Sequence, residues 1–174
     1  MNSDFDSTPG RAAREQVIAL LSLLPGQLGG TWSLDDASYP DWPAWRAAEE
    51  LAVTLRIGTR EFTLLHSLDA ERSARLVVEC RYGTVPQFSL IECYRQLLAR
   101  NHRNFPEHPS TYALDSSTKT VVHITSYLLE SIDAEKLANV LVDGAQLAMR
   151  WQEEFDQASE ALQNESSFPF TLQI

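Results

Sequence analysis

The chain has 174 residues and a mass of 19.6 kDa, which suits one domain whose core needs neither metal nor disulfide. Apolar residues make up 44 %, which excludes wholesale disorder. Lys and Arg number 14 against 24 Asp and Glu, and the resulting net charge of −10 repels nucleic acid and anionic lipid, arguing against both as partners.

Residues 1–8 read as a disordered lead. Thr8-Pro9 then supplies an N-cap hydroxyl and a first helical residue that loses nothing by lacking its N–H. Val17, Leu20, Leu21 and Leu24 follow at helical spacing, and Pro25-Gly26 is expected to stop this helix at residue 24. Residues 25–50 form an insert rich in aromatics: Trp32, Tyr39, Trp42 and Trp45. Asp41 caps a short predicted helix there, with Pro43 in its first turn. The aromatics leave two readings, a surface for a peptide partner or a lid on the domain's own sheet.

Residues 51–82 read as three antiparallel strands. Leu51, Val53, Leu55 and Ile57 alternate with polar or small residues, Gly58-Thr59 fits a type II′ turn, and Phe62, Leu64, His66 and Leu68 share the next face. The third strand aligns Ala74, Leu76, Val78, Cys80 and Tyr82. From Pro86 to about Arg103 a second helix carries the stripe Phe88, Ile91, Tyr94, Leu97 and Leu98, and Pro106 and Pro109 forbid its return. Thr111–Asp115 and Lys119–Tyr127 make a second hairpin around Ser116-Ser117. Asp133 caps the last helix, whose seam runs Leu137, Leu141, Gly144, Ala148, Trp151, Phe155 and Leu162. Residues 163–174 read as a flexible tail. The organisation is thus a single α+β domain over 9–162, an antiparallel sheet packed with helices in the order α-β-β-β-α-β-β-α.

Charge is uneven along the chain: residues 1–50 carry a net −5, residues 51–126 a net +2 and residues 127–174 a net −7. Either the middle offers a positive surface to a partner, or it consists of ordinary solvated strand faces. Cys80 and Cys93 form no C-x-x-C pair and suit a reducing compartment. The start, Met1 to Asp6, is acidic where a signal peptide would be basic. The longest apolar stretch, Val17 to Leu24, is far too short to span a membrane, so a cytoplasmic location is expected.

The usual chemical signatures do not occur: there is no Gly-rich phosphate loop and no G-x-S-x-G elbow. His102, Glu107 and His108 match no metal-ligand spacing. His66 and His123 lie in strands and suit structural roles, and Cys80 and Cys93 sit on apolar faces. No catalytic set, metal or cofactor is expected.

The stretch from 88 to 155 carries a more specific pattern. Leu97-Leu98-Ala99-Arg100-Asn101 resembles the L-L-x-x-N ending of the central helix in class I type III secretion chaperones, the Tir-chaperone (CesT-like) family. Tyr112-Ala113-Leu114-Asp115 resembles that family's aromatic-x-Leu-Asp strand, and Val121-Val122-His123-Ile124 its next strand. Asp133, Leu137, Leu141 and Trp151 look like its last helix. Ser116-Ser117 departs from the glycine often found in the family's turn, and the 25–50 insert is longer than usual.

The resemblance implies a non-catalytic homodimer in the bacterial cytoplasm. It would hold the N-terminal segment of one or more secreted effectors extended and export-competent, and deliver it to the secretion apparatus, with the secretion ATPase as a further candidate partner. It also implies dimer contacts through Phe88, Ile91, Tyr94, Leu98, Tyr112 and Leu114. Val53, Leu55, Ile57, Phe62, Leu64, Trp42 and Trp45 are the candidate effector contacts, with burial in the core as the competing role for the five strand residues. The alternative function is a chaperone-fold regulator that binds a folded signalling or transcription partner.

Overall fold

The computed structural model describes residues 8–30, 32–34, 41–104 and 110–166, the side chains of 8, 9, 42, 88 and 158–166 excepted. In chain order come α1 (Thr8–Leu28), β1 (Trp32–Leu34), α2 (Trp42–Ala47), β2 (Glu50–Ile57), β3 (Arg60–Ser67) and β4 (Arg75–Thr84). A 3-10 turn at Gln87–Ser89 leads into α3 (Leu90–Asn104). Then follow β5 (Ser110–Asp115), β6 (Thr120–Leu128), a second 3-10 turn and α4 (Ala134–Ser166). The six strands make one antiparallel sheet in the order β1-β2-β3-β4-β6-β5.

Strict alternation puts one face of this sheet into the core. Leu51, Val53, Leu55 and Ile57 of β2, Phe62, Leu64 and His66 of β3, and Leu76, Val78, Cys80 and Tyr82 of β4 are all buried. Buried residues of α1, α3 and α4 join them in a single cluster, so the three long helices cover the same face. Residues of the opposite face, among them Thr54, Thr63, Leu65, Val77 and Ile124, are only half-buried. The predicted order of elements is therefore present, with β1 as an unexpected addition inside the insert. Three residues are too few to show a period; β1 exists because Trp32, Ser33 and Leu34 pair with Ile57, Arg56 and Leu55.

Helix α1 does not stop at Pro25. It runs one turn further, because Leu24 and Leu28 lie on the same buried stripe and Pro25 is on the solvent side. Gly29, at φ +65, ends it instead. Within the short helix, Asp41 accepts from the Ala44 amide at 3.2 Å, as its capping role requires, and α2 ends at Ala47. Gly58 takes φ +58 at the head of the β2–β3 hairpin.

Helix α4 begins on Asp133, whose Oδ1 accepts from the Lys136 amide at 2.8 Å. Leu137, Leu141, Ala148, Trp151 and Phe155 are at most 3 % exposed, so this seam is consumed by the core. The Phe62 ring approaches Gly144 so closely that a Cβ there would lie 3.2 Å from it. The helix runs through residue 166, four residues into the stretch expected to be tail; residues 1–7 and 167–174, and the side chain of Leu162, lie outside the described residues.

Candidate partner-binding surfaces

The L-L-x-x-N pattern has a mechanical role. Asn101, near the end of α3, donates from Nδ2 to the Tyr112 carbonyl at 2.8 Å and accepts at Oδ1 from the Tyr112 amide at 2.7 Å. One side chain thus bonds both outward backbone groups of Tyr112, as a neighbouring strand would, and plugs the edge of the sheet at β5. Tyr112 is buried beneath it. Its ring stacks on His123 at 4.4 Å and meets Tyr82 edge-on at 5.6 Å. Of the two leucines, Leu97 is 4 % exposed and Leu98 is 69 % exposed, so the motif puts one leucine inside and one outside.

Asp115 closes the aromatic-x-Leu-Asp strand. Its carboxylate accepts from the Ser117 amide at 2.8 Å and from the Ser117 and Thr118 hydroxyls at 2.7 Å, which holds its pKa well below the usual carboxylate range. Lys119 takes the left-handed position at φ +57. These bonds do the work that a glycine turn does elsewhere.

Three large apolar side chains stand out from α3: Ile91 at 71 %, Tyr94 at 47 % and Leu98 at 69 % exposure. They are half of the six expected dimer contacts. Tyr112 instead belongs to the core and Leu114 is half-buried against it; the side chain of Phe88, in the 3-10 turn, lies outside the described residues. The reason is that β5 turns the alternate face carrying Tyr112 and Leu114 toward the core.

Of the expected effector contacts, the five strand residues take the competing role in the core. Val53, Leu55, Phe62 and Leu64 are each 1 % exposed and Ile57 is 7 % exposed, all within the core cluster. The helices and β1 cover them, although Phe62 borders the cleft beside α4 and Val53 and Leu55 border a small cavity under β1. Trp45 is half-buried against the core, and the side chain of Trp42 lies outside the described residues.

Two roomy hollows lie instead along β6. One cleft of about 470 Å³ lies between α4 and the sheet, with Phe62, Cys80, His123 and Thr125 as floor and Val140 and Leu147 as wall. A second, of about 540 Å³, shares His123, Thr125 and Tyr127 and runs on to Arg75 and Ser131. The signal was present in the sequence: His123, Thr125 and Tyr127 occupy the inward positions of a strand yet are too polar for a closed core. Burial pushes the pKa of His123 down to about 4, so its ring is neutral at physiological pH.

The insert is fastened by a buried arginine. Arg14 of α1 is 1 % exposed, and its Nε donates to His66 Nδ1 at 2.9 Å. Its terminal nitrogens donate to the carbonyls of Trp45, Ala48 (3.0 Å), Glu49 (3.3 Å) and His66 (3.2 Å). Three of these carbonyls belong to the C-terminal end of α2 and the link to β2, where helix polarity favours a cation. His66 accepts at Nδ1, so its proton is on Nε2, which donates to the Ser73 carbonyl at 2.9 Å. Beside this clasp, an apolar cavity of about 140 Å³ lies among Leu21, Leu24, Trp32, Leu34, Trp45 and Leu55.

Nothing in these surfaces converges as catalytic groups do. Cys80 and Cys93 are buried, and burial pushes their thiols up to about 12 and about 11, away from reactivity. Among the described residues no three His, Cys, Asp or Glu side chains gather as metal ligands; Glu107 and His108 lie outside those residues. No described helix is long and apolar enough to cross a membrane.

The scaffold is thus a sheet with helices on one face, one edge plugged by a helix-borne asparagine and open hollows along β6, without a converging catalytic set among the described residues. Residues 44–152 match the sequence profile of the Tir chaperone protein (CesT) family. That is more than half of the chain, and the protein belongs to this family of non-catalytic type III secretion chaperones. Among solved structures, the fold is similar to a chain in the crystal structure of the ExsC-ExsE complex, with a TM-score of 0.56 and 19 % identity. The match covers 80 % of this chain and 93 % of that one. No curated protein matches the sequence.

Proposed function

We propose that this chaperone works in the bacterial cytoplasm as a homodimer that holds the N-terminal segment of a secreted effector in extended form until export. The two adjoining hollows along β6 carry the reading. Their floor is partly apolar and their rim polar, which suits a chain that leaves side chains in pockets and keeps its backbone hydrated. The outer face of α3 supplies the dimer contact. Ile91, Tyr94 and Leu98 are spaced three and four residues apart, so they form one stripe that a two-fold axis can pair with its own copy. The secretion ATPase is the further partner of the loaded complex.

The test is to isolate the tagged protein from its own bacterium under secretion-inducing conditions and to proteolyse the bound material. Recovery of a secreted protein protected only near its N-terminus is the expected result. Recovery of a folded cytoplasmic regulator alone would replace the effector reading with the regulatory one.

A further inference from the structure

The two edges of the sheet are closed in different ways. At β5 the closure is part of the core: Asn101 bonds Tyr112, and Tyr112 is buried among Tyr82 and His123. At β2 the closure is β1, three residues long, paired only with Leu55, Arg56 and Ile57. Its two inward side chains, Trp32 and Leu34, are half-buried and border the cavity of about 140 Å³. So β1 covers its site without filling it. Its neighbour α2 is bolted down by Arg14 through three backbone carbonyls, whereas no buried side chain fastens β1 in the same way among the described residues. The family match begins at residue 44, which leaves β1 outside the part that the chain shares with its family.

We infer that β1 is an internal stand-in for the partner. It occupies the β2 edge in the unloaded protein and gives way to an extended segment carrying apolar side chains at alternate positions. The stand-in itself specifies what fits: an aromatic or aliphatic residue inward, a small polar residue outward, and an aliphatic residue inward, with room in the cavity for a side chain larger than leucine. The incoming strand bonds the Arg56 backbone that Ser33 now pairs with and drops its inward side chains over Leu55 and between Leu21 and Leu24. Trp45 and α2 stay in place as the wall of this site, because Arg14 holds them. The inference rests on the chaperone reading, and it adds a requirement for exchange: an apparent affinity set partly by how often β1 leaves the edge.

The test needs no natural partner. Ser33 and Arg56 are directly paired across β1 and β2, so Ser33→Cys with Arg56→Cys places two thiols at a spacing a disulfide can bridge. The probe is a fluorescein-labelled peptide copying residues 30–36, and the readout is anisotropy on the full chain with the disulfide reduced or oxidised. The reduced form is expected to bind at least about ten-fold tighter than the oxidised form, because locking β1 removes the competent state. The double variant Trp32→Ala with Leu34→Ala, checked for folding by circular dichroism, is expected to bind tighter than the unmodified chain. Equal binding by the oxidised and reduced forms would show that peptide adds outside β1 and would overturn the inference. Binding by none of the forms would overturn it as well. Either failure leaves the chaperone reading standing, since that depends on capture of a secreted protein and not on this peptide.

Discussion

Helices α3 and α4 are both amphipathic, yet they end in opposite situations. Helix α4 buries the large residues of its described seam: Leu137, Leu141, Trp151 and Phe155 lie in the core, together with Ala148. Helix α3 buries Cys93 and Leu97 and holds Ile91, Tyr94 and Leu98 out in solvent. The difference follows from what each helix lies on. Helix α4 crosses the middle of the sheet and meets β2, β3 and β4, whereas α3 rests on β5 at the rim, where only a narrow stripe can be covered. An apolar period in a sequence therefore marks a face that is suited to burial, and the position of the helix on the sheet decides how much of that face its own chain covers.

The sharpest test of the contrast is at the inner helix. Trp151 stacks on Phe155 at 5.0 Å and leans on Tyr82, so Trp151→Ala is expected to cost about 3–5 kcal/mol in urea-unfolding free energy. A cost below 1 kcal/mol would mean that the α4 seam is not the core's main support. Next comes the joint between α3 and its strand. Asn101→Ala leaves the outward Tyr112 amide and carbonyl unpaired and is expected to cost about 1–3 kcal/mol, measured the same way.

Acid offers a milder perturbation. Burial lowers the pKa of His66 below its ordinary value, and that of His123 to about 4, so the unfolded chain takes up protons that the folded chain refuses. Stability from both groups is present in full above about pH 7 and declines as pH falls below the ordinary histidine value, for His123 down to about 4. Protonating His66 would also remove the acceptor for Arg14 Nε. Urea midpoints measured from pH 7.5 to 4.5 should fall, and His123→Gln should flatten the slope. A flat profile in the unsubstituted chain would mean that both rings are solvated.

At the outer helix the expectation reverses. Leu98→Asp should change the unfolding free energy of one chain by less than about 0.5 kcal/mol, because Leu98 is in solvent there, while abolishing self-association in sedimentation. A soluble dimer would remove α3 from the interface. The smallest effect belongs to the tail: deleting residues 164–174 should leave the melting temperature within about 1 °C. A fall of several degrees would place Phe168 and Phe170 on the core.

Much of this contrast was legible in the residues. The 4–3–4–3 spacing of the α4 seam, the alternation in β2 to β4 and the cap at Asp133 each carry their own local physics, and each appears where expected. The family pattern located Asn101 and Asp115, although only the structure shows that one plugs a strand edge and the other builds a turn. Strand alternation could not say whether Val53 to Leu64 faced helices or a partner, because both environments select the same side chains; the path of α1 and α4 over β2 and β3 decided it. Strand β1 and the Arg14 clasp were beyond reach for a different reason. The β1 pairs join positions 21 to 25 residues apart and the Arg14 bonds positions 31 to 52 apart, mostly through backbone groups, which leave no mark on side-chain pattern.

That last property has a consequence for how this protein can change. Arg14 grips α2 by main-chain oxygen alone, and every residue type carries that oxygen. The outward positions of α2, Pro43, Ala44, Arg46 and Ala47, can therefore be rewritten while the grip is kept. The arginine itself has no such latitude: its five N–H groups meet five acceptors, and a lysine brings three. The molecule thus pairs a fixed hook with a rewritable outer surface, and the position of α2 is set by Arg14 rather than by the side chains that α2 itself shows to solvent.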